Sequence, residues 1–125
     1  MAVAQIAQDL ADLCRKGHFM EAIEKHYGTN VVSVEPVDFP GMPAEMSGIE
    51  AVKGKNRWWS ENHDVHDIRV DGPFVGDKQF ALRFYMDVSP KSGGRVQMTE
   101  MALYTVESDK IVKEEFYYNA QNSGA

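Results

Sequence analysis

The sequence predicts an α+β fold, in which a curved antiparallel sheet closes over helices that come first in the chain and leaves a pocket. Two observations predict it. Helical spacing is confined to the first half, in two helices and then, past a short strand ending in Glu35-Pro36, a third carrying Trp58-Trp59. From Val65 to Asn119 the pattern changes to four strands in a row. Helices gathered ahead of a meander belong to α+β layouts, whereas alternating strands and helices would mean a parallel sheet.

Ile6, Leu10, Leu13 and Cys14 recur at helical spacing, and Gly17 ends that first helix. Phe19, Ala22, Ile23 and Tyr27 form a second, stopped by Gly28. Val31 to Glu35 is β-rich and closes at Pro36. Residues 36–48 hold three prolines and two glycines and read as a loop over a pocket mouth. The third helix starts near Ser47-Gly48, with Ile49, Val52, Asn56, Trp59 and His63 on one face and Trp58 on its flank. Its cations, Lys53 to Arg57, read as a solvated face. The strands follow as Val65–Phe74, Gln79–Val88, Arg95–Val106 and Ile111–Tyr118, with turns at Gly76-Asp77, Ser92-Gly93-Gly94 and Ser108-Asp109. Residues 121–125 are expected to fray.

Composition bounds the function. At 125 residues the chain is expected to form one domain over 1–125. A formal charge of −6, with scattered Lys and Arg, argues against a nucleic-acid surface. One cysteine, Cys14, excludes an intramolecular disulfide. No basic segment followed by an apolar core suggests a signal peptide, and no apolar run approaches the roughly 20 residues of a membrane span. A cytoplasmic protein is the expectation. No phosphate-binding loop, dinucleotide glycine fingerprint or nucleophile elbow is present, so no cofactor is expected. His63, Asp64 and His66 span a helix end and a strand start, where alternating geometry would point them apart, so no metal site is expected either.

The segments Glu21-Ala22-Ile23 leading to Tyr27, Val34-Glu35-Pro36 and Gly48-Ile49-Glu50-Ala51 carry a resemblance. So do Gly76 to Phe80, and Ala102 to Val106 running into Asp109 to Val112. In this order and spacing the chain resembles the nuclear-transport-factor-2-like superfamily, in its SnoaL-like and ketosteroid-isomerase-like branch. The resemblance implies a cone-shaped α+β barrel wrapped on three N-terminal helices, a deep apolar pocket, and usually a dimer. Ketosteroid isomerases place their general base at an acidic residue directly before a proline at the end of the first strand, and Glu35 matches that position. The position of their oxyanion-binding aspartate is matched by Ala102, and that of their first-helix tyrosine by Leu10 or Ala11.

Strand alternation sets Phe80, Leu82, Phe84 and Met86 on one face, and Met98, Glu100, Ala102 and Tyr104 on one face of the next strand. With the family layout these point inward, joined by Glu114, Phe116 and Tyr118 and walled by Trp59. The expected cavity is apolar and aromatic and holds three carboxyls, Glu35, Glu100 and Glu114. Like charges and desolvation both raise carboxyl proton affinity there. The functional expectation is a site for a small apolar or aromatic carbonyl compound, with Glu35 as the base of a proton-transfer isomerase or cyclase. Glu100, Tyr27 or Tyr118 would polarise the carbonyl. The alternative is a non-catalytic binding module with the same pocket. The outer face is also apolar, through Tyr85, Met101, Leu103 and Tyr117, and predicts a homodimer.

Overall fold

A computed structural model describes residues 2–119; the fraying expected of residues 121–125 lies outside them. Helix α1 (Val3–Arg15) buries Ile6, Ala7, Leu10, Ala11, Leu13 and Cys14, the amphipathic stripe that packs a helix on a sheet. Past its end Gly17 takes a φ of +76°. There the His18 N–H donates to the Leu13 carbonyl at 2.9 Å and the Gly17 N–H to the Cys14 carbonyl at 3.0 Å. These two bonds form a Schellman cap, whose left-handed residue favours glycine. Helix α2 (Phe19–His26) follows, and buried His26 ties it to Asp9 of α1 at 2.5 Å.

Strand β1 (Tyr27–Val34) starts at Tyr27, which local spacing had assigned to the second helix. Tertiary pairing wins here: Tyr27 stands beside Ile111 in the sheet, and its hydroxyl donates to buried Glu114. Residues 36–48, predicted as loop, contain β2 (Glu45–Ser47), antiparallel to β1, and an isolated bridge between Phe39 and Met42. Pro36, Pro40 and Pro43 all precede Glu45, so the backbone donors a ladder needs are intact from there. Helix α3 (Ile49–Asn62) stops before His63, which opens β3 (His63–Val75) instead of extending the helix face.

The remaining strands are β4 (Gln79–Pro90), β5 (Val96–Glu107) and β6 (Lys110–Tyr117). Ser108 and Asp109 both have positive φ, 51° and 63°, as a two-residue type I′ hairpin turn requires. The sheet order is β2-β1-β6-β5-β4-β3, so among the described residues β2 and β3 are the edges and the sheet is not closed. The last four strands form the predicted antiparallel meander, and β1 joins β6 in parallel. Register shifts in the β1/β6, β3/β4 and β5/β6 pairs mark the bulges that bend a sheet. At one of them Gly72 has a φ of +111°, and a Cβ there would stand 3.1 Å from the Ala81 carbonyl oxygen.

The result is three helices held in the concavity of a six-stranded curved sheet. Ile6 and Leu10 of α1 pack with Phe80, Leu82 and Ile111 of the sheet, all buried. On the convex side Met101 and Tyr117, paired across β5 and β6, are about half exposed. No helix among the described residues is long and apolar enough to cross a membrane.

Candidate functional site

Beside this core the concave face opens into a cavity of about 150 Å³, walled by α1, α2, α3 and strands β4, β5 and β6. Phe39 and Met42, bridged to each other, reach it from the segment between β1 and β2. Strand periodicity positions its polar groups. Ser33 and Glu35 lie two apart at the end of β1; Glu114, Phe116 and Tyr118 lie two apart along β6 and just past it. The parallel register sets Ser33 beside Glu114, and the antiparallel one sets Tyr104 opposite Glu114.

One hydrogen-bonded chain crosses this wall. The Tyr118 hydroxyl donates to Glu35 Oε1 at 2.6 Å, and Lys55 Nζ donates to Glu35 Oε2 at 2.9 Å. Lys55 Nζ also donates to Ser33 Oγ, whose own proton goes to Glu114 Oε2 at 2.6 Å. The Tyr27 hydroxyl donates to the other Glu114 oxygen. Lys55 Nζ stands 4.0 Å from Glu114 and 5.2 Å from the centre of the Phe116 ring. Burial pushes the Glu114 carboxyl above its ordinary range, against the pull of Lys55, Ser33 and Tyr27. Burial, and then the Glu114 charge beside it, push the Tyr27 hydroxyl well up as well.

Sequence reading missed two members, Ser33 and Lys55, the latter because Lys53 to Arg57 was taken as a solvated face. The Lys55 side chain is only 14% exposed. A signal was present: Lys55 is three residues after buried Val52 and four before Trp59, on the inward stripe of α3.

Glu100 on β5 differs. Its carboxyl lines the cavity opposite Phe84 in the sheet register and makes no hydrogen bond among the described residues. Burial first, then the charges of Glu35 and Glu114, push it up to about 8, with Lys55 opposing. Cys14 also lines the cavity, and burial pushes its thiol up to about 12, far from the thiolate a nucleophile needs.

Of the residues expected on the lining, Tyr27, Glu35, Trp59, Phe84, Met86 and Met98 are there, as are Glu100, Tyr104, Glu114, Phe116 and Tyr118. Phe80, Leu82 and Ala102 are not. They share the inward face but are buried in the core with Ile6 and Leu10 of α1, Phe80 stacking on Tyr104 at 4.8 Å between ring centres. Alternation assigns a face of a sheet, and only the helices packed on it decide which part of that face stays open. His63 is buried and stacked on Trp59 at 4.4 Å, while His66 is exposed and bonded to Ser89. Among the described residues no group of His, Cys, Asp and Glu converges as a metal site.

Comparison with known proteins agrees with this architecture. The SnoaL-like domain family matches residues 1–118. The chain belongs to that family. A solved structure from Mesorhizobium loti, provisionally described as a SnoaL-like polyketide cyclase and also labelled carbohydrate phosphatase, is 45% identical. It superposes with a TM-score of 0.89 over 94% of this chain and 100% of its own. A Xanthomonas campestris protein of unknown function with a cystatin-like fold is 14% identical, with a TM-score of 0.81 over 99% of this chain and 96% of its own. A Catenulispora acidiphila protein with a ketosteroid-isomerase-like fold, solved in complex with trimethylamine, is 14% identical. Its TM-score is 0.75 over 98% of this chain and 90% of its own. Among curated proteins none matches. The family and fold indicate a role in binding small molecules.

Proposed function

We propose that this SnoaL-like protein binds a small apolar carbonyl compound in the cavity and shifts a proton within it, with Glu35 as the base. The observation that carries the reading is the chain from Tyr118 through Glu35 to Lys55. It aims a carboxylate and an ammonium at one apolar space. Lys55 uses two of its protons on Ser33 and Glu35. The third is left to stabilise negative charge developing on a substrate oxygen, a role that weighs most in a water-poor site. The hydroxyl protons of Tyr27 and Tyr118 are committed to Glu114 and Glu35, so Lys55 takes the polarising role expected of Glu100, Tyr27 or Tyr118. A phosphate ester fits poorly: it would meet three carboxyls and one lysine already bonded.

The test is deuterium exchange at the carbon next to the carbonyl of small cyclic ketones, followed by proton NMR. Glu35→Gln should slow exchange about 10²- to 10⁴-fold while leaving ligand affinity within a few-fold. Exchange at the wild-type rate in that variant would remove Glu35 from the mechanism.

The ion pair itself favours a second reading, a binding module without chemistry, since Lys55 and Tyr118 already satisfy Glu35. Measurable ligand binding with no exchange by the wild type would select it. We also propose a cytoplasmic homodimer through the convex face. Exposed Met101 and Tyr117, with Tyr85 and Leu103 beside them, support that contact. Met101→Lys should then shift sedimentation toward the monomer, and an unchanged profile would discard that surface.

A further inference from the structure

Among the described residues, Glu100 is the one carboxyl of the cavity that accepts no hydrogen bond. Glu35 accepts from Tyr118 and Lys55, and Glu114 accepts from Tyr27 and Ser33. Glu100 accepts from nothing among the described residues, although it stands on the same apolar space. Glu100 is partly buried, and a carboxyl that lines an apolar space without a partner of its own is open to one from outside. The lining supplies three carboxyls and a single cation, Lys55, which is already held by Glu35 and Ser33. It also supplies the rings of Trp58, Trp59, Phe84 and Phe116, whose negative faces attract cations once water is excluded. Carboxyl surplus, rings and an unpartnered acceptor all favour positive charge in the occupant. Size narrows it further, because a cavity near 150 Å³ holds a guest about as large as benzene.

We propose that the ligand of this cavity is a small organic ammonium ion, its charge seated at Glu100 and its alkyl groups against the aromatic wall. This rests on the reading of the cavity as the ligand site and names what that ligand carries. Lys55 and Glu35, which line the same cavity, would remain for its reacting part.

Choline and 3,3-dimethylbutan-1-ol make the test, being nearly the same shape with nitrogen replaced by carbon, so that only the charge differs. Titrated into the whole protein by calorimetry or NMR at pH 8.5, choline should bind at least about tenfold more tightly than the neutral alcohol. The preference should vanish in Glu100→Gln. Equal affinities, or a preference that survives Glu100→Gln, would overturn the proposal. The wild-type comparison needs no variant, so a Glu100→Gln protein that failed to fold would still leave the isostere pair to decide.

pH gives a second readout, because choline does not titrate. With the free Glu100 carboxyl pushed up to about 8, a cation must displace its proton at lower pH. Choline affinity should therefore fall as pH drops from 9 to 6, approaching tenfold per unit, and the alcohol should show no such trend. The other titratable groups on the cavity with Glu100 are Cys14 from α1, Tyr27 from β1 and Glu35 just past it, Lys55 from α3, Tyr104 from β5, and Glu114 from β6 with Tyr118 just past it. Cys14 and the three tyrosines are pushed upward, out of this window. Glu114 is pushed in the same direction as Glu100, so the trend must disappear in Glu100→Gln to count for the proposal. Exchange of a neutral ketone without any preference for choline would refute the ammonium and leave the proton-transfer reading standing.

Discussion

Two walls of one cavity treat the same side chain in opposite ways. On the β1/β6 wall, Glu35 and Glu114 are held in a chain of donors running from Tyr118 through Lys55 and Ser33 to Tyr27. On the β5 wall, Glu100 faces the same space with none among the described residues. Two kinds of group can share one pocket: those that the fold supplies with donors and those that it does not. A buried carboxyl with donors rigidifies its surroundings, whereas one without them costs stability whenever it is charged.

The largest test of that contrast is Glu114→Ala. It strands Tyr27, Ser33 and one neighbour of Lys55, and should cost about 3–5 kcal/mol, the usual effect of breaking a buried charged network. Urea unfolding reads it as a lower midpoint at constant slope. A loss below about 1 kcal/mol would mean that the β1/β6 wall does not depend on its acceptor.

Next comes the response to pH. Glu100 is pushed from 4.5 up to about 8 in the folded chain. Between those values the folded state holds a proton that the unfolded state has released, so stability falls as pH rises through the window. Discounted for the carboxyl's partial exposure, the loss between pH 5 and 9 should be roughly 2–3 kcal/mol. Thermal unfolding at the two pH values should show it, and Glu100→Gln should flatten most of the slope, with Glu114 supplying a remainder of the same sign. Asp9, held below its ordinary range by Lys25 and His26, and Asp87, held down by Arg95, act at lower pH and with the opposite sign. A wild type equally stable at both ends would mean that Glu100 is solvated.

Tyr118→Phe is the finest probe. It removes one hydrogen bond to a half-buried Glu35 that keeps Lys55, so about 1 kcal/mol is expected. A loss several times larger would show that Tyr118 anchors the wall as a whole.

Much of the architecture was legible because it rests on local patterns. The stripe from Ile6 to Cys14 with Gly17 behind it, and the alternation through Phe80, Leu82, Phe84 and Met86, specify a helix and a strand before any neighbour is known. The turn at Ser108-Asp109 was legible for the same reason. Tyr27 misled because its helical spacing was real, yet pairing with β6 outweighs one more residue of helix. Glu45–Ser47 was hidden because a three-residue strand exists only where β1 supplies its partner. Lys55 was read as surface because a lysine among lysines on a helix is usually solvated, and its inward spacing counted for less than its charge.

By itself the sequence determined most of the helical and extended segments and the faces they present; that three carboxyls would gather near one concave face was what the family resemblance implied. Tertiary structure decided the rest. Only the packing of the helices on the sheet could bury Phe80, Leu82 and Ala102 in the core and leave Phe84, Met86 and Met98 on the cavity. Only the parallel register of β1 on β6 could bring Ser33 to Glu114, within reach of a lysine from α3. The reason is physical: periodicity acts along the chain over a few residues, whereas a hydrogen-bond partner or an open cavity depends on groups that are distant in sequence and meet only when the sheet curves.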